Sequence, residues 1–188
     1  MGRVSLKERR VVAQNSRWRV YLDHLVDDRS NDVRDYLVVD PLRPRAGRIA
    51  GVDILPVLGD KILLLRVYRH PIEREFWEVP RGFIDDHETA AQAALRELTE
   101  ETGLTCAAND LVGFGTYAPE PGTIAAYGEM FAAMRCQGSP RRLDDELGHG
   151  AFALFDRKQI AELIAAGEIA HCATLLLYYR YCELPPRS

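Results

Sequence analysis

The sequence has no apolar run long enough to span a membrane. Its opening residues, Met1-Gly-Arg-Val-Ser-Leu-Lys7, lack the apolar core of an export signal. Together these absences make a cytoplasmic protein the expectation. Cysteine is scarce, and Cys106, Cys136, Cys172 and Cys182 show no paired ligand spacing. They read as small buried residues in a reducing compartment, with no zinc or disulfide role expected. Positive charge is not in excess: 24 Lys and Arg stand against 28 Asp and Glu, a net charge of −4. No bulk electrostatic attraction therefore favours nucleic acid or an anionic membrane. What remains is one soluble chain of 188 residues, long enough to bury roughly 70% of its unfolded surface.

The most informative stretch is Gly82 to Leu104. Ala91, Ala94, Leu95 and Leu98 recur at helical spacing. Thr89 followed by Gln92 has the form of a capping box, and Gly103 stands where a helix favours a left-handed terminator. The spacing predicts a helix over Ala90–Thr102. Each helical residue advances roughly 100°, so Glu97, Glu100 and Glu101 project from one edge beside the apolar stripe. Such a cluster resists its own ionisation unless a cation sits among the acids. Oxygen ligands of this kind suit magnesium or manganese. Arg96, four residues before Glu100, is placed to pair with it. A solvated helix face could carry the same acids over so short a stretch.

The whole pattern decides against that bland reading. Gly82, Glu88, Arg96-Glu97-Leu98, Glu100-Glu101 and Gly103-Leu104 stand at the spacing of the Nudix box with no position missing. At ordinary residue frequencies so many fixed positions arise by chance less than about once in a million. The chain thus resembles the Nudix hydrolases, whose box is a loop-helix-loop that binds divalent metal and cleaves a nucleoside diphosphate linked to another group. The resemblance implies an α/β Nudix fold, a mixed β-sheet sandwiched between helices. It also implies that Glu97, Glu100 and Glu101 hold the metal, with the Arg81 carbonyl as a further ligand and Glu88 and Arg96 supporting them.

Around the box, the first ten residues read as a frayed charged arm. Trp18, Val20 and Leu22 alternate with polar residues, and Tyr36-Leu-Val-Val39 follows a polar turn, predicting an antiparallel pair of strands. The stretch 41–47 reads as a linker, giving an N-terminal strand extension over residues 1–45 and a catalytic domain over 46–188. Strands follow at Ile49–Leu58 and Lys61–Tyr68, joined at Gly59-Asp60, and at Phe76–Val79. Further on, 135–149 reads as a long loop, Ala151–Phe155 as a strand, and Asp156 with Gln159 caps a helix ended by Gly167. A last helix from Ala173 to Cys182 is expected to turn Leu175, Leu176 and Tyr179 inward. His24, His70, His87, His149 and His171 read as structural.

The segments Arg66-Val-Tyr-Arg69-His-Pro71 and Phe76-Trp-Glu78-Val-Pro-Arg-Gly82, with Pro121-Gly122, are similar to the ADP-ribose pyrophosphatase branch. That resemblance implies that Arg69, Glu78 and Pro121 bind substrate, and that an acid of the 135–149 loop, best matched by Glu146, serves as general base alongside Glu100. It also implies a homodimer built on the N-terminal strands. Two departures stand out. Ala126 occupies a place where an acid is expected, and Arg81 replaces a small residue before the box glycine. The function expected is magnesium-dependent hydrolysis of a nucleoside diphosphate sugar, with ADP-ribose giving AMP and ribose 5-phosphate. Another nucleoside diphosphate derivative (GDP-mannose, a dinucleoside polyphosphate or coenzyme A), or a binding module without catalysis, remains the alternative.

Overall fold

The computed structural model describes residues 2–43, 46–141 and 147–185. It divides into two compact units, one of residues 1–50 with 118–127 and one of 51–117 with 128–188.

In the first unit, β1 (Val4–Gln14), β2 (Trp18–Asp27) and β3 (Asp32–Pro41) form an antiparallel sheet in chain order. The first ten residues are therefore not a frayed arm. Their charges mask a strand because they act across it: Arg9 donates to both carboxylate oxygens of Asp23 at 2.8 and 2.6 Å, and its guanidinium lies 4.5 Å from the Tyr21 ring. The β2–β3 turn is fixed by Asp27, whose carboxylate accepts from the backbone of Arg29 and Asn31 at 2.9 Å each. A later segment joins this unit through a parallel bridge between Val39 and Ile124.

The second unit contains β4 (Ile49–Leu58), β5 (Lys61–Arg69), β6 (Arg74–Glu78), β7 (Arg81–Phe83), β8 (Leu111–Tyr117), β9 (Tyr127–Ala133) and β10 (His149–Phe155). They make a mixed sheet in the order β10-β5-β4-β9-β8, with β6 beside β5 and β7 beside β4. Strand alternation sorts the core onto two faces. Val52, Ile54, Leu63, Leu65 and Val67 pack with Ala93, Ala94 and Leu98 of α1 (Ala90–Thr102). Leu55, Val57, Ile62 and Leu64 pack with Ile160 of α2 (Arg157–Ala165) and with Leu177 and Tyr178 of α3 (Cys172–Cys182). The sheet is thus sandwiched between helices, as the box implied.

Three local expectations shift. In α1 the buried face is Ala93, Ala94, Leu98, Glu101 and Thr102, while Ala91 is exposed; this turn of the helix carries Glu101 inward. In α3 the buried residues are Ala173, Thr174, Leu177 and Tyr178, and Tyr179 is 57% exposed. An aromatic pair, Tyr178-Tyr179, gives the sequence no means of choosing which ring goes inside. Of the cysteines, all free, Cys136 is buried but Cys172 is exposed at the start of α3. Among the described residues no helix is long and apolar enough to cross a membrane.

Candidate active site

The box folds as its spacing predicts. Thr89 Oγ1 accepts from the Gln92 backbone N–H at 3.2 Å, the Gln92 side chain accepts from Thr89 N–H at 2.7 Å, and Gly103 closes α1 at φ 69°. The helix then presents its acids to one organising cation, Arg96. Arg96 donates to Glu88 at 2.7 and 3.2 Å, to Glu97 Oε1 at 2.8 Å, to Glu100 Oε2 at 2.8 Å and to the Phe83 carbonyl at 2.9 Å. Its guanidinium is held further toward the charged form, first by the Glu88 hydrogen bonds and then by Glu97 and Glu100, against the cost of burial. The loop before the helix is thereby tied to the helix.

Glu101 has other partners. It is 7% exposed, accepts the Arg81 backbone N–H on Oε2 at 3.0 Å, and has His149 Nε2 at 3.8 Å from Oε1. Gly82, next in the chain, is required for packing: a Cβ there would lie inside the Glu97 carboxylate. Strand end and helix are therefore in direct contact, with the Glu97 carboxylate against Gly82 and the Glu101 carboxylate on the Arg81 backbone N–H.

A second polar cluster lies beside the middle of β4 and at the ends of β5, β6 and β7. Glu78, 1% exposed, is held by Arg69 through Nε at 2.9 Å and through Nη2. Burial works against its charge, but the Arg69 hydrogen bonds, with help from the charge of Arg81, win and lower its pKa. The pKa of Asp53, 3% exposed, is pushed up by burial; Oδ2 accepts the Tyr117 hydroxyl at 2.7 Å, and Oδ1 has no hydrogen bond among the described residues. Burial, then Asp53, also raises the Tyr117 phenol. His171 lies 3.5 Å from Glu78 through Nδ1 and 2.8 Å from Arg81 Nη1 through Nε2, and burial pushes its pKa down to about 4.

The structure thus brings Arg96, Glu97, Glu100 and Glu101 onto one edge of α1 and sets Arg81 against Glu101. Arg69 and Glu78 form a bidentate pair. Pro121 falls in the first unit, in a turn where Thr123 N–H and Ile124 N–H bond to the Glu120 carbonyl and Tyr36 donates to the Gly122 carbonyl at 2.6 Å. Glu146 lies outside the described residues. Sequence reasoning missed Asp53, Tyr117, His149 and His171 as members of these clusters. Asp53 gave a signal, being the lone acid in the apolar run Ile49–Leu58. The two histidines gave none, since their partners lie far away in the chain.

As donors, three carboxylates and a strand-end carbonyl suit a hard divalent cation. Among the described residues no three acid, His or Cys side chains already converge on a common point. The reason is Arg96, which occupies the space between Glu97 and Glu100 and supplies their counter-charge. By chemistry and by edge the residues fit such an ion.

Comparison with known proteins shows what the chain is similar to. The chain is 44% identical over 64 residues to the ADP-ribose pyrophosphatase of Saccharomyces cerevisiae, covering 31% of this chain and 28% of the relative. It is 33% identical over 98 residues to the ADP-ribose pyrophosphatase of Bacillus subtilis, covering 50% and 52%. The matches thus span about half or less of those relatives' length. A crystal structure of an ADP compounds hydrolase superposes with a TM-score of 0.78 over 96% of this chain and 92% of that one; at 19% identity it shows the fold. The NUDIX domain model matches residues 47–167, and hydrolases of that family generally use divalent metals. With well over half of its length matched, the chain belongs to the NUDIX domain family.

Proposed function

We propose that the protein is a magnesium-dependent pyrophosphatase of a nucleoside diphosphate sugar, with ADP-ribose, cleaved to AMP and ribose 5-phosphate, as the first candidate; manganese can replace magnesium. The observation that carries this reading is the set of box acids gathered on one edge of α1, with Glu101 bound to the Arg81 backbone N–H, Glu97 against Gly82, and Arg96 bonded to both Glu97 and Glu100. Glu97, Glu100, Glu101 and the Arg81 carbonyl hold the metal. A divalent ion there supplies neutralisation of phosphate charge and a more acidic water. Glu100, or Glu146 of the 142–146 segment, takes the proton of the attacking water. The water oxygen bonds to one phosphorus, and the bond from that phosphorus to the bridging oxygen breaks. Arg69 and Glu78 hold the substrate, and each keeps the other's geometry.

A second reading within the same chemistry is favoured by Ala126, only 5% exposed where the resemblance expects an acid. It would place the preferred substrate elsewhere among nucleoside diphosphate derivatives, such as GDP-mannose. A homodimer is supported by β1, an edge strand of 11 residues exposed throughout, with Val4, Leu6, Val11 and Val12 open to solvent. Product release from ADP-ribose, GDP-mannose, UDP-glucose, NADH and diadenosine polyphosphates, with magnesium and with chelator, tests the reading. One preferred substrate, lost with chelator, is the expected outcome; silence across the panel would refute it.

A further inference from the structure

Most arginines near the box are engaged by carboxylates. Arg96 serves three glutamates, Arg69 grips Glu78, and Arg66 bonds to Glu75 and Glu168. Arg81 differs. Among the described residues its guanidinium has no carboxylate oxygen within ion-pair distance, and its contact is His171 Nε2 at 2.8 Å.

A guanidinium has no lone pair to offer, so Nε2 must accept. His171 is therefore neutral, with its proton on Nδ1. That proton points to Thr174 Oγ1 at 3.1 Å and toward Glu78 Oε2 at 3.5 Å, and Thr174 Oγ1 in turn accepts the Val79 backbone N–H at 3.1 Å. The imidazole is thus anchored from β6 and α3 at once. A carboxylate in its place would also aim Arg81, but would cancel its charge. A neutral acceptor fixes the guanidinium without a carboxylate in direct contact; Glu78 and Asp53 feel its charge only from a distance. Arg81 is exposed, so its remaining donors are open to a ligand, while its own backbone N–H is fixed by Glu101 at 3.0 Å.

We propose that the Arg81 side chain binds a phosphate oxygen of the substrate's diphosphate, and that His171 is the positioning residue that aims it. The identity of the ligand rests on the pyrophosphatase reading above. The planar fork of a guanidinium matches two phosphate oxygens in a way an ammonium does not.

The test measures binding of inorganic pyrophosphate by calorimetry in the presence of magnesium, and KM and kcat for whichever nucleotide sugar turns over. Arg81→Ala should weaken pyrophosphate about ten- to hundredfold, with Arg81→Lys recovering part of it. His171→Leu should raise KM severalfold while kcat holds, and His171→Gln, whose amide oxygen can accept from Arg81, should restore it. Thermal melts of all four variants separate these effects from misfolding. Pyrophosphate binding unchanged in a folded Arg81→Ala protein, or absent in the wild type, overturns the proposal. If no nucleotide sugar is turned over but Arg81→Ala still loses pyrophosphate, the pyrophosphatase reading fails and the anion site stands.

Discussion

The box helix and the cluster at the strand ends hold similar groups in opposite ways. At the box one arginine of α1 serves three partly exposed glutamates close in sequence, Glu88 in the loop before the helix and Glu97 and Glu100 on it. In the second cluster Asp53 and Glu78 are buried, His171 is partly so, and the groups around them come from β5, β7, β8 and α3. The difference teaches where chemistry and stability reside. The box acids share one cation, Arg96, close to solvent, whereas the acids of the second cluster are held by separate partners, Arg69 and Tyr117.

That comparison breaks first at Glu101. Glu101→Gln should cut turnover by more than about 100-fold while the fold survives, because it removes a ligand charge and keeps the acceptor of Arg81 N–H. Steady-state rates and a thermal melt check it together. At the strand ends the largest effect should be on stability. Glu78→Gln leaves Arg69 without its charged partner and should cost about 2–3 kcal/mol in urea unfolding. Arg69→Met should cost a similar amount, and the double variant less than the sum.

The largely enclosed His171 gives the second cluster a pH dependence. Its pKa falls from 6.5 in the unfolded chain to about 4 in the fold. The unfolded chain therefore binds the proton first as pH drops, so stability is greatest above about 6.5 and declines toward 4, by at most about 3 kcal/mol. Urea midpoints at pH 7 and pH 5 measure the decline, and His171→Gln should flatten it. Smaller still is Tyr117→Phe. It strips the hydrogen bond from Asp53 Oδ2 and should cost about 1–2 kcal/mol at neutral pH.

The same contrast explains what the sequence made legible. The Ala90–Thr102 helix, its capping box and its left-handed Gly103 depend on residues a few positions apart, and all three read correctly. So did the Gly59-Asp60 hairpin and the capping box at Asp156, again local devices. What failed was non-local. β1 looked like an arm because Arg9 shows its purpose only beside Asp23 and Tyr21 on the next strand. Strands β8 and β9 gave little pattern because Gly113, Gly115 and Gly128 dilute the alternation, with a bulge where Gly115 takes φ 75°. His171 looked structural because Arg81 lies 90 residues before it.

The central claim is that Glu101, set against the Arg81 backbone, is the buried anchor of a metal site for diphosphate cleavage. The most direct measurement is AMP release from ADP-ribose with magnesium, for the wild type and Glu101→Gln, each repeated with chelator. The account predicts wild-type turnover abolished by chelator and near-zero turnover in a folded Glu101→Gln protein. An unchanged rate in Glu101→Gln would contradict it.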